Sequence, residues 1–522
     1  MKPFDGIWSE ERITDLVNLH KGRSHPETAE LLSKKWNCYI TRDSVKNKYT
    51  RLQEIVDVPS AAIKVEPAKN RDFFSRTQND ERLKMPRVYF VTSAIAGATL
   101  NTKFLRSIEK FLEDRGAKLV VLPMRGVVSR KEQYSEEVLE ELSDSFYTEY
   151  IFNYSLEAYD LCLSPKQANP LVGTARIAQK RSCLIVASPK QNMETTPVAV
   201  YNIPHIIHST GTITNPNYDN TRIGKIAIED HIVGGLIVEV EDQTVFHLRQ
   251  VQADKDGSFY DLDKKYSPKG VEAATAEAFI PGDIHNGSQD PTAMKAWDEV
   301  IKVTRPKTIV FHDLFDSRSV SHHEDHNLSK KSNRPEEYKL LKNELDLLGE
   351  FLTNQKKKYP WVNFYAAASN HPEHLDSFLD SGRFIFDHHN YRLALELAIS
   401  RVDGKNPIEE YLDKNFGQKA KIKWLTRSDS LVISGVEVGA HGDLGPNGSR
   451  GSLIGVERSY RNSVVGHSHT PRIYRSAWQV GTSTTLRLSY NRGPSSWLHA
   501  GCLIHKNGQR QLIISIGGSW RV

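Results

Sequence analysis

The chain has 522 residues, 39% hydrophobic and 25% charged, a composition that excludes a wholly disordered or fibrous protein. Lys and Arg number 69 against 64 Asp and Glu, a formal charge of +5, too balanced for a protein that only coats nucleic acid. No run approaches the roughly 18 apolar residues needed to span a membrane. Met1–Arg12 carries Asp5, Glu10 and Glu11 with no apolar stretch, so no secretory signal is expected there. Cys38, Cys162, Cys183 and Cys502 lie far apart without a C-x-x-C pair, which points to free thiols in a reducing cytosol rather than a disulfide framework or thiolate zinc site. At roughly 150 residues per domain, the length suits three or four domains.

Residues 1–57 read as three short helices. Ser9 is placed to cap a helix that runs to His20, with Ile13, Leu16 and Val17 as its apolar stripe. Ser24 and Glu27 stand at capping-box spacing and open a second helix, with Ala29, Leu31, Leu32 and Trp36 inward. Thr41 opens a third, through Leu52, whose Arg42, Lys46, Lys48 and Arg51 against Asp43 give a net charge of +3. Three helices with a tight second turn and a basic third helix describe a helix-turn-helix unit, and those four cations are its candidate DNA-binding residues. A small docking module with an ordinary solvated face is the alternative. Residues 58–85, with Pro59, Pro67 and few aliphatics, read as a linker.

Residues 86–270 alternate between strand and helix patterns. Strands are expected at Arg87–Thr92, Lys118–Met124, Cys183–Ala187, Lys225–Ile228, Gly235–Glu241 and Thr244–Gln250, and helices at Asn101–Arg115 and Lys131–Tyr147. No phosphate loop or dinucleotide fingerprint occurs in this α/β stretch, and its sequence assigns it no role. Residues 271–522 alternate again, with a long helical insert near Glu336–Lys358 and glycine-punctuated β segments from Leu431 onward. The fold class expected is a multidomain α/β chain: a small helical unit, an α/β middle domain and a C-terminal α/β domain.

Five short clusters in the last region carry chemistry. They are Gly282-Asp283-Ile284-His285, His312-Asp313-Leu314-Phe315-Asp316, Ser369-Asn370-His371, Gly439-Ala440-His441 and Gly466-His467-Ser468-His469. Each follows an apolar or alternating run, and strand ends are where α/β folds build sites. Asp, His and Asn offer oxygen and imidazole ligands without sulfur, a set suited to Mn, Fe, Zn or Mg.

These clusters, in this order, resemble the calcineurin-like metallophosphoesterase superfamily over about residues 275–510. The resemblance implies a four-layer αββα domain. It implies that Asp283, His285 and His469 hold one divalent ion, that Asp313 bridges two, and that Asn370, His441 and His467 hold the second, manganese being the first expectation. It makes His371 the catalytic histidine that contacts the phosphate and assists the leaving group. Two ions so placed would generate hydroxide at neutral pH for in-line attack. Three positions depart from the family: His312 and Ser369 stand where glycine is usual, and Pro372 where an acid follows the histidine, leaving Glu373 or Asp376 to orient His371. The Asp313–Asp316 and Gly466–Pro471 segments look more like the DNA-repair nuclease branch than like protein phosphatases. The spacing of Trp8, Ile13, Leu16, Ala29, Leu32, Trp36, Val45 and Leu52 resembles Myb-like or GcrA-like helix-turn-helix families. The whole arrangement resembles the early DNA-transfer proteins of large T-odd siphophages, which implies degradation of host DNA in the bacterial cytoplasm.

The expectation is therefore a two-metal DNA nuclease. Its alternatives are a phosphatase or phosphodiesterase of small molecules or proteins, and a non-catalytic DNA-binding scaffold or regulator. DNA is the expected partner, while a second copy of the chain and a phage or host protein stay open as others. Ser321-His322-His323-Glu324-Asp325-His326-Asn327 reads first as a polar loop and second as an extra ligand set.

Overall fold

The structure, a computed structural model, describes residues 10–20, 23–37, 40, 42, 45–46, 87–129, 132–181, 183–199, 203–325, 335, 338–488 and 491–522. It forms two compact units, Met1–Val65 and Glu66–Val522.

In the first unit, helices Glu10–His20 and His25–Trp36 enclose Leu16, Ala29, Leu32, Ile40 and Val45. The Glu27 carboxylate accepts from the Ser24 backbone N–H at 2.9 Å and from its hydroxyl at 2.7 Å, which fixes the start of the second helix. Trp36 Nε1 donates to Asp15 Oδ2 at 3.0 Å and ties the two helices together. Val17 and Leu31, expected inward, are exposed. Each lies one step off the facing stripe, and Leu19 and Trp36 pack on the core instead. Most of the expected third helix and the segment 58–85 lie outside the described residues.

The second unit is mixed α/β with several sheets. A six-stranded sheet runs in the order Lys423–Trp424, Asn363–Ala366, Thr308–Phe311, Ala278–Ile280, His499–Ile504, Arg510–Ser515. A ten-stranded sheet joins Val432–Ile433, Val436–Glu437, Ser463–Val465, Ala477–Gln479 and Arg472–Tyr474 to Met193–Thr196, His205–Ser209, Cys183–Val186, Leu156–Tyr159 and Glu149–Asn153. The seam is the antiparallel pair Ile473 and Met193.

Successive residues of a strand face opposite ways, and the cores follow that rule. Ala278, Ile280 and Val310 enter a core shared with Val464 and Trp478 of the larger sheet. Phe279, Ile309 and Phe311 face the other way, onto helices Pro291–Thr304, Leu341–Lys358, Glu373–Asp380 and Pro407–Asn415. Beyond the larger sheet, Val465 and Ala477 pack on Leu453 and Val456 of helix Leu453–Tyr460.

The stretches 86–270 and 271–522, expected as separate domains, thus share one sheet and one core. A four-stranded sheet of Lys118–Met124, Arg87–Ile95, Gly234–Val240 and Phe246–Gln252 contributes to that core too. Its edge is tied across by Leu512 N–H donating to Gln250 Oε1 at 2.8 Å. The sequence pattern marks strands but not their neighbours, so a sheet assembled from distant segments reads as two domains.

Lys225–Ile228 is a second correction. It lies in helix Arg222–Glu229, not in a strand. Thr221 Oγ1 accepts from the Gly224 N–H at 3.0 Å and caps it, a start signal that outweighs the β-branched isoleucines.

Arg249 is fully buried between two carboxylates. Its guanidinium donates to Glu239 at 2.6 Å and to Asp261 at 2.7 Å. Burial pushes Glu239 up, but Arg249 and then Arg115 pull it well below the ordinary carboxylate range. Arg249→Met should lower the unfolding free energy by about 3–5 kcal/mol, since it leaves buried charge uncompensated. Because the folded value is depressed, the Glu239 contribution is complete above the unfolded value of about 4.3 and is lost as pH falls below it. Denaturant titrations between neutral and acid pH should show that acid loss shrink in the variant.

Candidate metal centre

Three strands of the smaller sheet run parallel, pairing Ala278 with Thr308 and Thr308 with Asn363. Their C-terminal ends therefore meet at one edge, the usual place for a site. There the chain presents Asp283 and His285, then His312 and Asp313, then Asn370 and His371. The larger sheet brings up the rest. Ala440 bridges Ala368 and places His441, while strand Ser463–Val465 leads directly into His467 and His469.

Backbone bonds fix these loops to one another. The His285 N–H donates to Asp313 O at 2.7 Å and the Ile284 N–H to His312 O at 3.0 Å. The His467 N–H donates to Asp283 Oδ2 at 2.7 Å. A Cβ on Gly466 would lie 2.0 Å from Asp283 Oδ1, so glycine alone admits that carboxylate. His285, Asp313, His467 and His469 all hold positive φ, at 42°, 42°, 76° and 59°. Such backbone costs of order 1–3 kcal/mol per residue, and here it coincides with the candidate ligands.

The side chains form two groups that share Asp313: Asp283, His285, Asp313 and His469, and Asp313, His441 and His467, the ligand atoms within each lying within 4.8 Å of one another. His285 Nε2 lies 3.0 Å from His469 Nε2 and 3.6 Å from Asp313 Oδ2. His469 Nε2 lies 3.3 Å from Asp283 Oδ2, and His441 Nε2 3.0 Å from Asp313 Oδ2. Donor spacings near 3 Å are the edges of a coordination shell whose metal–ligand bonds are about 2.1 Å. Asp283 Oδ1, Asp313 Oδ1 and Asn370 Oδ1 are buried and make no hydrogen bond among the described residues, as expected of acceptors kept for a cation. The residues fit divalent ions. Asn370 itself sits in the turn between the Ala368 bridge and His371.

The electrostatics follow from this crowding. Burial pushes Asp283 up, but the His469 hydrogen bond and the His441 and His469 charges bring it below its ordinary value. Asp313 goes the same way, further, under His441 and His371. Burial lowers His371, yet Asp313 and Asp316 overcome it and push the imidazole up to about 10.

Asp316 is the residue that sequence reasoning missed. Its Oδ1 lies 2.5 Å from His371 Nδ1 and 3.0 Å from His285 Nδ1. Neither expected partner orients His371: Glu373 pairs with Arg427 at 2.7 Å and Asp376 with Arg401 at 2.8 Å. Asp316 stands within the quoted Asp313–Asp316 cluster, and its spacing three residues past a candidate ligand was the available signal. His312 is fully buried with Nδ1 3.2 Å from His441 Nδ1, and burial and then His441 push it down to about 4. In the first unit Arg42 and Lys46 are exposed, while Lys48 and Arg51 lie outside the described residues.

The chain matches no protein-family profile. It is similar to Protein A1 of Escherichia phage T5, 28% identical over 471 residues, with 84% of each chain covered. The chain thus resembles a phage protein along most of its length. Among solved structures, Chaetomium thermophilum Vps29 aligns with 35% of this chain and 97% of its own, at 12% identity and a TM-score of 0.20, too distant a likeness to bear on the fold.

If Asp313 serves both groups, Asp313→Ala should lower bound Mn²⁺ from about two per chain to fewer than one, measured by equilibrium dialysis. Asp376→Ala should leave the number unchanged.

Proposed function

We propose that this protein is a two-metal phosphodiesterase that cleaves DNA. The observation that carries the reading is the shared Asp313 between two buried ligand groups, with His371 held beside them by Asp316. The helix–sheet–sheet–helix order of the cores supports a calcineurin-like metallophosphoesterase domain. The oxygen and imidazole donors, without sulfur, suit manganese, with Mg, Fe or Zn as alternatives.

Bound there, two divalent ions would neutralise phosphate oxygens and make a water acidic enough to ionise near neutral pH. The protein's own work is positional. Asp283, Asp313 and the four flanking imidazoles fix where a phosphate's oxygens settle. Asp316 occupies His371 Nδ1, so the other ring nitrogen, Nε2, faces the substrate. Bonded to Asp316 through Nδ1, His371 is placed to hold a proton at Nε2 and deliver it to the leaving oxygen.

DNA as the substrate rests on the helical first unit, where Arg42 and Lys46 are exposed, and on the likeness to a phage protein. In this reading Arg42, Lys46, Lys48 and Arg51 hold duplex phosphates, and the enzyme acts on host DNA in the bacterial cytoplasm.

Linear duplex DNA should be degraded with Mn²⁺ and spared with EDTA, and circular duplex beside it separates endonuclease from exonuclease action. His371→Ala and Asp316→Ala should each slow cleavage by about 10²-fold or more, while Glu373→Ala stays within a few-fold of wild type. Hydrolysis of a small phosphodiester without DNA cleavage would replace this reading with a small-substrate enzyme, and DNA binding without hydrolysis would replace it with a scaffold.

Affinity for DNA should fall steeply with salt. Each of Arg42→Ala and Lys46→Ala should flatten the log–log salt slope by about one, equally on unrelated sequences, if the residue contacts a phosphate. Fluorescence anisotropy measures both.

A further inference from the structure

Just past the principal centre, a second histidine group forms from two distant segments. His322 and His323 stand in the short helix His322–Asp325, and His374 in the first turn of Glu373–Asp380. The ring centroids of His322 and His323 are 3.9 Å apart, and His374 lies 5.4 Å from the first and 5.3 Å from the second. One ring nitrogen from each comes within 4.8 Å of the others, and among the described residues no carboxylate joins the group.

A solvated polar loop does not account for this. Three imidazoles that gained protons would repel one another at these distances, and a loop at the surface is free to spread them. Three imidazoles converging on one point are a familiar ligand set for zinc, which leaves a further position for water or an anion. His323 is exposed, so an ion has a path in.

We infer that His322, His323 and His374 form a third cation site, selective for borderline transition ions such as Zn²⁺ or Co²⁺ over Mn²⁺ and Mg²⁺. The selectivity follows from the donors: imidazole without carboxylate favours the former, whereas Mn²⁺ and Mg²⁺ favour oxygen. The principal centre differs in adding the oxygens of Asp283 and Asp313 to its imidazoles, a set that Mn²⁺ also accepts. The inference does not depend on the phosphodiesterase reading, because none of its three ligands belongs to the shared-Asp313 groups.

The test is to count ions on the full chain. Co²⁺ would be titrated by visible absorption and Zn²⁺ by calorimetry, on wild type, His323→Ala, His374→Gln and Asp313→Ala. The expected result is one Co²⁺ or Zn²⁺ per chain lost in His323→Ala and in His374→Gln, with Mn²⁺ stoichiometry unchanged in both. Asp313→Ala should keep the Co²⁺ that the histidine variants lose. Equal Co²⁺ and Zn²⁺ counts in wild type and His323→Ala would overturn the site; because His323 is exposed, that variant keeps the fold, and its melting temperature checks this. An unchanged Mn²⁺ count in Asp313→Ala would instead count against the principal centre and leave the third site standing.

Discussion

Three carboxylates and six imidazoles are packed where the ends of two sheets meet, most of them out of water, and the rest of the structure answers to that crowding. A buried carboxylate is costly unless positive charge or donors offset it. Asp313 makes matters worse for Asp283, since its charge pushes the neighbouring carboxyl up. The chain answers with His441, His469 and the His467 N–H on Asp283 and Asp313, yet leaves one oxygen of each carboxylate without a partner. That unmet charge is what suits the centre to a cation.

The same crowding accounts for the local backbone. Four candidate ligands adopt positive φ, because an ordinary turn would carry their side chains past the meeting point. Gly466 is glycine because Asp283 Oδ1 occupies the space a Cβ would need. Strain of this kind persists only where surrounding structure holds it, and the loop-to-loop bonds from His285 to Asp313 and from Gly466 to His441 do so.

How much of this was legible in the sequence varied with the range of the interaction. The candidate ligands are readable because each follows a strand on its own local pattern, and strand ends share an edge when strands are parallel. Strands Lys118–Met124 and Cys183–Val186 and the helix ending at Gly116 were readable for the same local reason. The ten-stranded sheet was not, since nothing local to Met193 announces that it will pair with Ile473. Helix Arg222–Glu229 was misread because β-branched residues were weighed above the Thr221 cap. The orienting group of His371 was sought next door in sequence, at Glu373 and Asp376, when the fold supplies Asp316 from 55 residues upstream.

Asp316 also explains why the unusual Pro372 is tolerated. Where an acid directly follows the histidine, orientation and sequence are coupled, and proline would remove the partner. Here one carboxylate holds Nδ1 of both His285 and His371, so each ring is turned with its Nε2 away from Asp316. Burial would raise Asp316, but His285 and His371 hold it far below the ordinary carboxylate range, which favours the ionised, accepting form. Glu344 is the contrast. Equally buried, it pairs with no cation among the described residues and is pushed up to about 7, by burial first and then, past the Ser319 hydrogen bond, by the Asp316 charge. It accepts from the backbone N–H groups of Arg318 and Ser319 at 2.9 and 3.0 Å. One carboxylate thus sets the two rings, and the other pins the loop that carries it. The position of Pro372 then needs only to start the helix that follows, which proline does well.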